Sequence, residues 1–219
     1  PMADSPIEQA LSVHQSGDLD AAEKAYLDIL MDDSRNAEAL KLIGLLACQR
    51  GKLEDGLNYL EAAVEVDDSV AEYHVALAHG YLATGKIEEG IASLAKAGEI
   101  DPSRADVYGT LGDTFQKILN FPEALRMYQH AMKVDPANTN YRVGAGLSAI
   151  FSGQHDVASD YLEQASTESD DVPQIYYGLA LIKADAGETK AAHELISKAV
   201  ALDADNPEYL RLQSEYAAT

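Results

Sequence analysis

The sequence predicts an all-α solenoid, a stack of helix–turn–helix units, and three observations predict it. The first is a period of 34 residues that runs without insertion over six copies of the 219-residue chain. The second is a fixed alternation of small and large residues within that period. The third is a glycine that punctuates the middle of the unit in five of the six copies. A repeated unit of two helices cannot bury its apolar face alone, so successive units must stack on one another.

The unit is clearest at Ala105–Asn138. Tyr108, Leu111, Gly112 and Phe115 fall at i, i+3, i+4 and i+7, one face of a first helix. Phe121–Pro122 opens a second helix, because proline is tolerated in a first turn where its missing N–H has no partner to lose. Ala124, Tyr128 and Ala131 continue its stripe, and Asp135–Pro136 stops it. With Ala105 as position 1, position 8 reads Ala10, Gly44, Ala78, Gly112, Gly146, Ala180, and position 20 reads Ala22, Gly56, Gly90, Ala124, Ala158, Ala192. Position 24 is always large: Tyr26, Leu60, Leu94, Tyr128, Leu162, Ile196. Position 27 is Ile29 and then alanine five times. Position 15, the turn, reads Gly17, Gly51, Gly85, Leu119, Gly153, Gly187.

The period, the helix–turn–helix unit and Tyr108-x2-Leu111-Gly112-x2-Phe115 resemble the tetratricopeptide repeat. Gln9 at position 7 and Lys183 at position 11 depart from the pattern, and proline at position 32 survives only as Pro102 and Pro136. The resemblance implies a right-handed α-solenoid and one repeat domain over residues 1–219. Its repeats would be 3–36, 37–70, 71–104, 105–138, 139–172 and 173–206, with a capping helix at 207–219. In the cap, Asn206 and Pro207 start the helix. Tyr209, Leu210 and Leu212 are expected to cover the last repeat, while Arg211, Gln213, Ser214 and Glu215 face water. A seventh repeat cut short is the alternative. The reading gives thirteen helices and no strand.

Sixteen Lys and Arg against 37 Asp and Glu give a formal charge of −21. That argues against nucleic acid or an anionic membrane surface as partner. No apolar run approaches membrane-spanning length, and no charged-then-apolar leader precedes the first repeat. Pro1 before Met2 reads as a cloning scar, which makes Met2 the expected start. A lone cysteine, Cys48, fits a reducing, cytoplasmic compartment. It lies in an apolar helix without a nearby cation, so an inert thiol is expected.

No catalytic or cofactor motif is present: no HExxH, CxxC, GxSxG or GxxxxGK[ST]. Of the six histidines only His74 and His79 are close, and a spacing of five does not align them for one metal. His74, at the bulky position 4, is expected in the core. The sequence therefore assigns no catalytic residue, no metal and no cofactor, and the protein is expected not to be an enzyme.

The resemblance implies a concave groove lined by first helices at positions 2, 5, 9, 12 and 13. Early in the chain this face is acidic: Asp4, Glu38, Glu72 and Asp106 at position 2, with Lys41 at position 5 and His79 and Asp113 at position 9. Acids at position 2 would repel a C-terminal carboxylate, which disfavours the carboxylate clamp of chaperone-tail receptors. Position 6 lacks the asparagine ladder of the sugar-transferase members. Later the face is apolar: Val143, Leu147, Ile150, Phe151, Tyr177 and Leu181. Such helices are covered on every side, either by the protein's own packing, by a second copy, or by a ligand.

These residues suggest a bacterial scaffold for a protein or peptide partner with basic and apolar character, bound as a peptide or amphipathic helix. One alternative is the non-catalytic front of a glycosyl-, sulfo- or methyltransferase, which EALKLIGLLACQRGK and YHVALAHGYLATGK resemble. Another is a receptor for a small signalling peptide.

Overall fold

The computed structural model describes residues 5–218. Pro1, the expected start Met2, Ala3 and the position 2 residue Asp4 lie outside them, as does Thr219. Among the described residues there are thirteen helices and no strand. They are α1 (Pro6–Gln15), α2 (Leu19–Asp32), α3 (Ala37–Gln49), α4 (Leu53–Val66), α5 (Ala71–Ala83) and α6 (Ile87–Ile100). There follow α7 (Ala105–Lys117), α8 (Phe121–Val134), α9 (Thr139–Phe151), α10 (His155–Glu168), α11 (Pro173–Asp185), α12 (Thr189–Leu202) and α13 (Pro207–Ala217). The helices gather into two compact units, the first ending at Ser103 and the second starting at Arg104. In each unit consecutive helices pack on one another in chain order, the all-α stack of helical pairs expected from the period.

The turn inside each repeat explains its glycine. The N–H of position 16 reaches back to the carbonyl of position 11: Lys52 to Ala47 at 2.9 Å, Lys86 to Tyr81 at 2.9 Å, Asn120 to Phe115 at 2.8 Å. This closure requires a left-handed residue at position 15. Gly51, Gly85, Gly153 and Gly187 take φ of 74–79°, and Gly17 takes 89°. Leu119 adopts the same conformation at φ 60° and is the one non-glycine with positive φ among the described residues.

The turn between repeats explains an acid. Position 31 is Asp33, Asp67, Asp101, Asp135 and Asp203, with Ser169 in the fifth repeat. The Asp67 carboxylate accepts the Ser69 N–H at 3.0 Å and Asp101 accepts that of Ser103 at 3.0 Å. Asp33 and Asp135 do the same for Arg35 and Ala137. A short acid that mimics a backbone turn is the physical reason for these residues, so part of the negative charge is structural.

All the large residues at position 24 and all the small ones at positions 8 and 20 are buried. The reason is contact distance. A Cβ added at Gly44 would stand 2.8 Å from the Leu60 side chain; one at Gly112 would stand 2.7 Å from the Tyr128 ring, and one at Gly146 2.7 Å from Leu162. The two helices of a repeat approach closely because one contributes no side chain where the other contributes its largest.

α13 continues the stacking, capped by Asn206, whose side chain accepts the N–H groups of Glu208 and Tyr209. Tyr209 and Leu212 are buried as expected. Two residues differ. Leu210 is 41% exposed and takes no part in the cluster that Tyr209 and Leu212 join. Gln213 is half-buried and donates to Ser197 Oγ at 3.0 Å. His74 is in the core, with Nε2 2.9 Å from the Asp68 carbonyl.

Candidate functional site

The candidate surface is the outward face of the first helices, and its make-up follows from how each first helix meets the next. Position 3 of one repeat lies over position 5 of the repeat before it. The Tyr73 ring lies 5.9 Å from the Lys41 ammonium, the Tyr141 ring would be 2.4 Å from a Cβ at Gly109, and Ile175 shares a buried cluster with Val143. Position 5 of repeats two, four and five is thereby taken out of the surface, while Tyr177, position 5 of repeat six, stays half-buried. Lys41 is 8% and Val143 6% exposed, so neither lines a groove as the sequence suggests. Positions 2 and 9 stay outside.

In the first unit, Glu38 on α3 is half-buried and pairs with Lys41 at 2.9 Å. Burial, then the charge of Glu38, pushes the Tyr73 hydroxyl above its usual range. Lys41 therefore spends its charge inside the fold, on Glu38 and the face of Tyr73. Glu72 and His79 on α5 are exposed.

In the second unit, Asp106 on α7 is exposed and held by the Arg104 guanidinium, Nε at 3.1 Å and Nη2 at 2.5 Å. That hydrogen bond is the main cause holding its carboxyl below the usual carboxylate range. Asp113, also exposed, accepts the Tyr128 hydroxyl at 2.6 Å. Tyr128 is wedged between Gly112 and Gly144, and burial raises its ionisation well above normal. Its hydroxyl also reaches Gln116 Oε1 at 3.0 Å, and Gln116 Nε2 donates to the Gly144 carbonyl at 3.1 Å and to Ser148 Oγ at 2.8 Å. This chain of hydrogen bonds ties the candidate residue Asp113 to α8 and α9.

Of the apolar candidates, Leu147 and Ile150 are half-buried with their methyl groups over Gly178 of α11, 3.1 Å and 3.3 Å from where a Cβ would stand. Tyr177 is half-buried, its ring centre 5.2 Å from that of Tyr209, and Leu181 packs on the cluster of Ala180, Ile196 and Leu212. Burial, then the charge of Glu208, raises the Tyr177 hydroxyl. Phe151 stands apart from the others. At position 13 it reaches the turn edge of the repeats, stacks on Phe121 at 4.8 Å and remains 49% exposed. Much of the apolar character of α9 and α11 is thus used by the next repeat. Four side chains, Leu147, Ile150, Tyr177 and Leu181, keep a half-exposed edge.

Two features were missed in the sequence reading: the position 3 residues that cover position 5, and Gln116 at the centre of the polar chain. The recurrence of tyrosine at positions 73 and 141 carried the first signal. The second had none, because a lone glutamine on a helix face reads as solvated. Burial raises the Cys48 thiol, in keeping with an inert role. Among the described residues no three His, Cys, Asp or Glu side chains gather to hold a metal, and no helix is long and apolar enough to cross a membrane.

Stacked helical pairs with a small-on-large seam and a left-handed turn define a helical-repeat solenoid. Family matches cover residues 7–69, 42–105 and 149–216, and the chain belongs to the tetratricopeptide repeat family. Solved structures show the same fold. YrrB, described as a tetratricopeptide protein with an unusual peptide-binding site, is 19% identical with a TM-score of 0.75, over 88% of this chain and 99% of that one. A MamA structure is 24% identical with a TM-score of 0.68, over 73% and 93%. PilF of Pseudomonas aeruginosa is 22% identical with a TM-score of 0.69, over 85% and 86%. At these identities the likeness is one of fold. No curated protein matches the sequence.

Proposed function

We propose that this chain is a non-catalytic scaffold that binds a peptide or an amphipathic helical segment in the concave groove lined by the solvent-facing side of its first helices. The observation that carries the reading is the chemistry of position 9 in the second unit. Asp113 is exposed on α7, while Leu147 on α9 and Leu181 on α11 keep a half-exposed edge, so one face runs from acid to apolar. An amphipathic segment with an apolar stripe and a basic flank matches that order: the stripe on Leu147, Ile150, Tyr177 and Leu181, the flank toward Asp113 and Asp106. The first unit offers a similar acidic face at Glu38 and Glu72. Family membership and the peptide-binding description of YrrB support the same reading.

The test uses a synthetic amphipathic helix with a leucine stripe flanked by lysines. Leu147→Asp should abolish its binding at low and high salt alike, because a charge placed in an apolar contact lacks a partner. Asp106→Lys should chiefly slow association, and raised salt should mask the effect. Binding that survives Leu147→Asp, or a wild-type dimer that the substitution dissolves, would show that the apolar edge serves something other than this ligand.

A further inference from the structure

At two junctions between repeats, an acid at position 2 is followed by a tyrosine at position 3 of the next repeat: Glu38 with Tyr73, and Asp106 with Tyr141. The first junction holds its own lysine. Lys41, at position 5, pairs with Glu38 at 2.9 Å and sets its ammonium 5.9 Å from the Tyr73 ring centre. At the second junction position 5 is Gly109, and the Tyr141 ring lies against α7 there, 2.4 Å from where a Cβ would stand. The second junction thus keeps the acid and the half-buried tyrosine, and has a glycine where the first has its cation.

The second junction also gains an acid, since position 9 is Leu45 in repeat two and Asp113 in repeat four. Burial, then the charges of Asp106, Asp135 and Asp113, raises the Tyr141 hydroxyl, so all three carboxylates lie near enough to act on it. They differ in what they can still accept. Asp106 gives both oxygens to Arg104. Asp135 Oδ1 accepts the Ala137 N–H in the turn. Asp113 is exposed, and its Oδ1 accepts the hydroxyl of Tyr128, a side chain only 3% exposed. A neutral donor anchored in the core thus orients this carboxylate, and among the described residues no cation pairs with it. One open oxygen suits the point charge of an ammonium better than the fork of a guanidinium.

Resting on the groove binding proposed above, we propose that Asp113 and Tyr141 select one lysine of the bound segment. Its stem lies along the Tyr141 ring and its ammonium on Asp113, so the partner supplies at this junction the cation that Lys41 supplies from within at the other. Tyr128 is a positioning residue that holds the carboxylate.

The test uses the full chain and the synthetic leucine-striped helix, each flanking lysine being replaced in turn by norleucine or arginine and the Kd read by fluorescence anisotropy. At one lysine, norleucine should weaken binding by about tenfold, against about twofold or less at the others. Arginine there should recover only part of the loss. Asp113→Asn keeps an acceptor for the Tyr128 hydroxyl and should keep the wild-type helical spectrum, while lysine and norleucine become equivalent at that place. Tyr141→Leu should cut the lysine preference by about threefold or more, and Tyr141→Phe should retain it, since the ring and not the hydroxyl meets the stem. The lysine site is overturned, with the groove left standing, if Leu147→Asp abolishes binding but all lysines are equivalent, arginine binds as tightly, or the preference survives Asp113→Asn or Tyr141→Leu. A helix that does not bind, or binds regardless of Leu147→Asp, overturns the groove and the lysine site together.

Discussion

Repeats two and four solve one packing problem with different chemistry. In the first, the large residue facing the glycines is aliphatic: Leu60 lies against Gly44 and Gly80. In the second, Tyr128 occupies the equivalent position between Gly112 and Gly144 and extends a hydroxyl to Asp113 and Gln116. A leucine fills space and can adjust its rotamer; a tyrosine ring is rigid, and its hydrogen bonds hold it in one orientation. The same register thus yields an adaptable seam at Leu60 and a directional one at Tyr128. The directional seam also couples the core to a surface residue, Asp113.

The comparison is sharpest with alanine in place of two glycines. A Cβ at Gly144 would stand 2.5 Å from Tyr128 Cζ and 2.7 Å from Cε1, against a ring that cannot yield. Gly144→Ala should therefore destabilise by about 1–3 kcal/mol. At Gly80 the nearest atom is the terminal Leu60 Cδ1 at 2.9 Å, which can rotate away. Gly80→Ala should be neutral or stabilise by up to about 1 kcal/mol, since alanine is the better helix former. Urea titration of both variants checks the signs, and equal losses at the two positions would erase the distinction.

A smaller effect is expected at the hydroxyl itself. Tyr128→Phe keeps the ring and removes a donor from Asp113 and Gln116, at a cost of about 1–2 kcal/mol. Amide exchange in α9 should rise more than in α4, because Gln116 would lose its anchor while still holding Gly144 and Ser148. Unchanged exchange would mean that the polar chain contributes no rigidity.

The smallest effect is a pH dependence in the first unit. Burial, with a hydrogen bond to Glu61 at 2.9 Å, pushes the Tyr81 hydroxyl up to about 12 from the ordinary 10.0. A raised value in the folded state means a stabilisation present below the unfolded value and lost as pH rises through the folded one. Stability should fall between pH about 10 and about 12, and Tyr81→Phe should flatten that fall. Alkaline denaturation curves of the two proteins would differ in slope in that window; parallel curves would exclude Tyr81 as a contributor.

Much of the fold was legible before the structure. The period, the alternation at positions 8, 20 and 24 and the turn at position 15 are local or belong to adjacent helices, so each residue's own size and backbone preference decide the outcome. That is why thirteen helices, the cap at Asn206 and the core role of His74 could be read from the chain. The candidate face was only half legible. Positions 2 and 9 lie outside as the helical period says, but whether position 5 is surface depends on what the next repeat places above it. Tyr73 covers Lys41 and Ile175 covers Val143. Phe151 turns to Phe121 rather than to the other apolar candidates for the same reason: its neighbour across the turn, not its place on the helix, sets where its ring rests. The sequence by itself determined the repeat register, the number of helices among the described residues and the sign of the net charge, because period, size and ionisation are properties of residues and their near neighbours. Only the tertiary structure decided which side chains remain available to a partner, because accessibility is set by the residues that pack over a side chain from the following repeat.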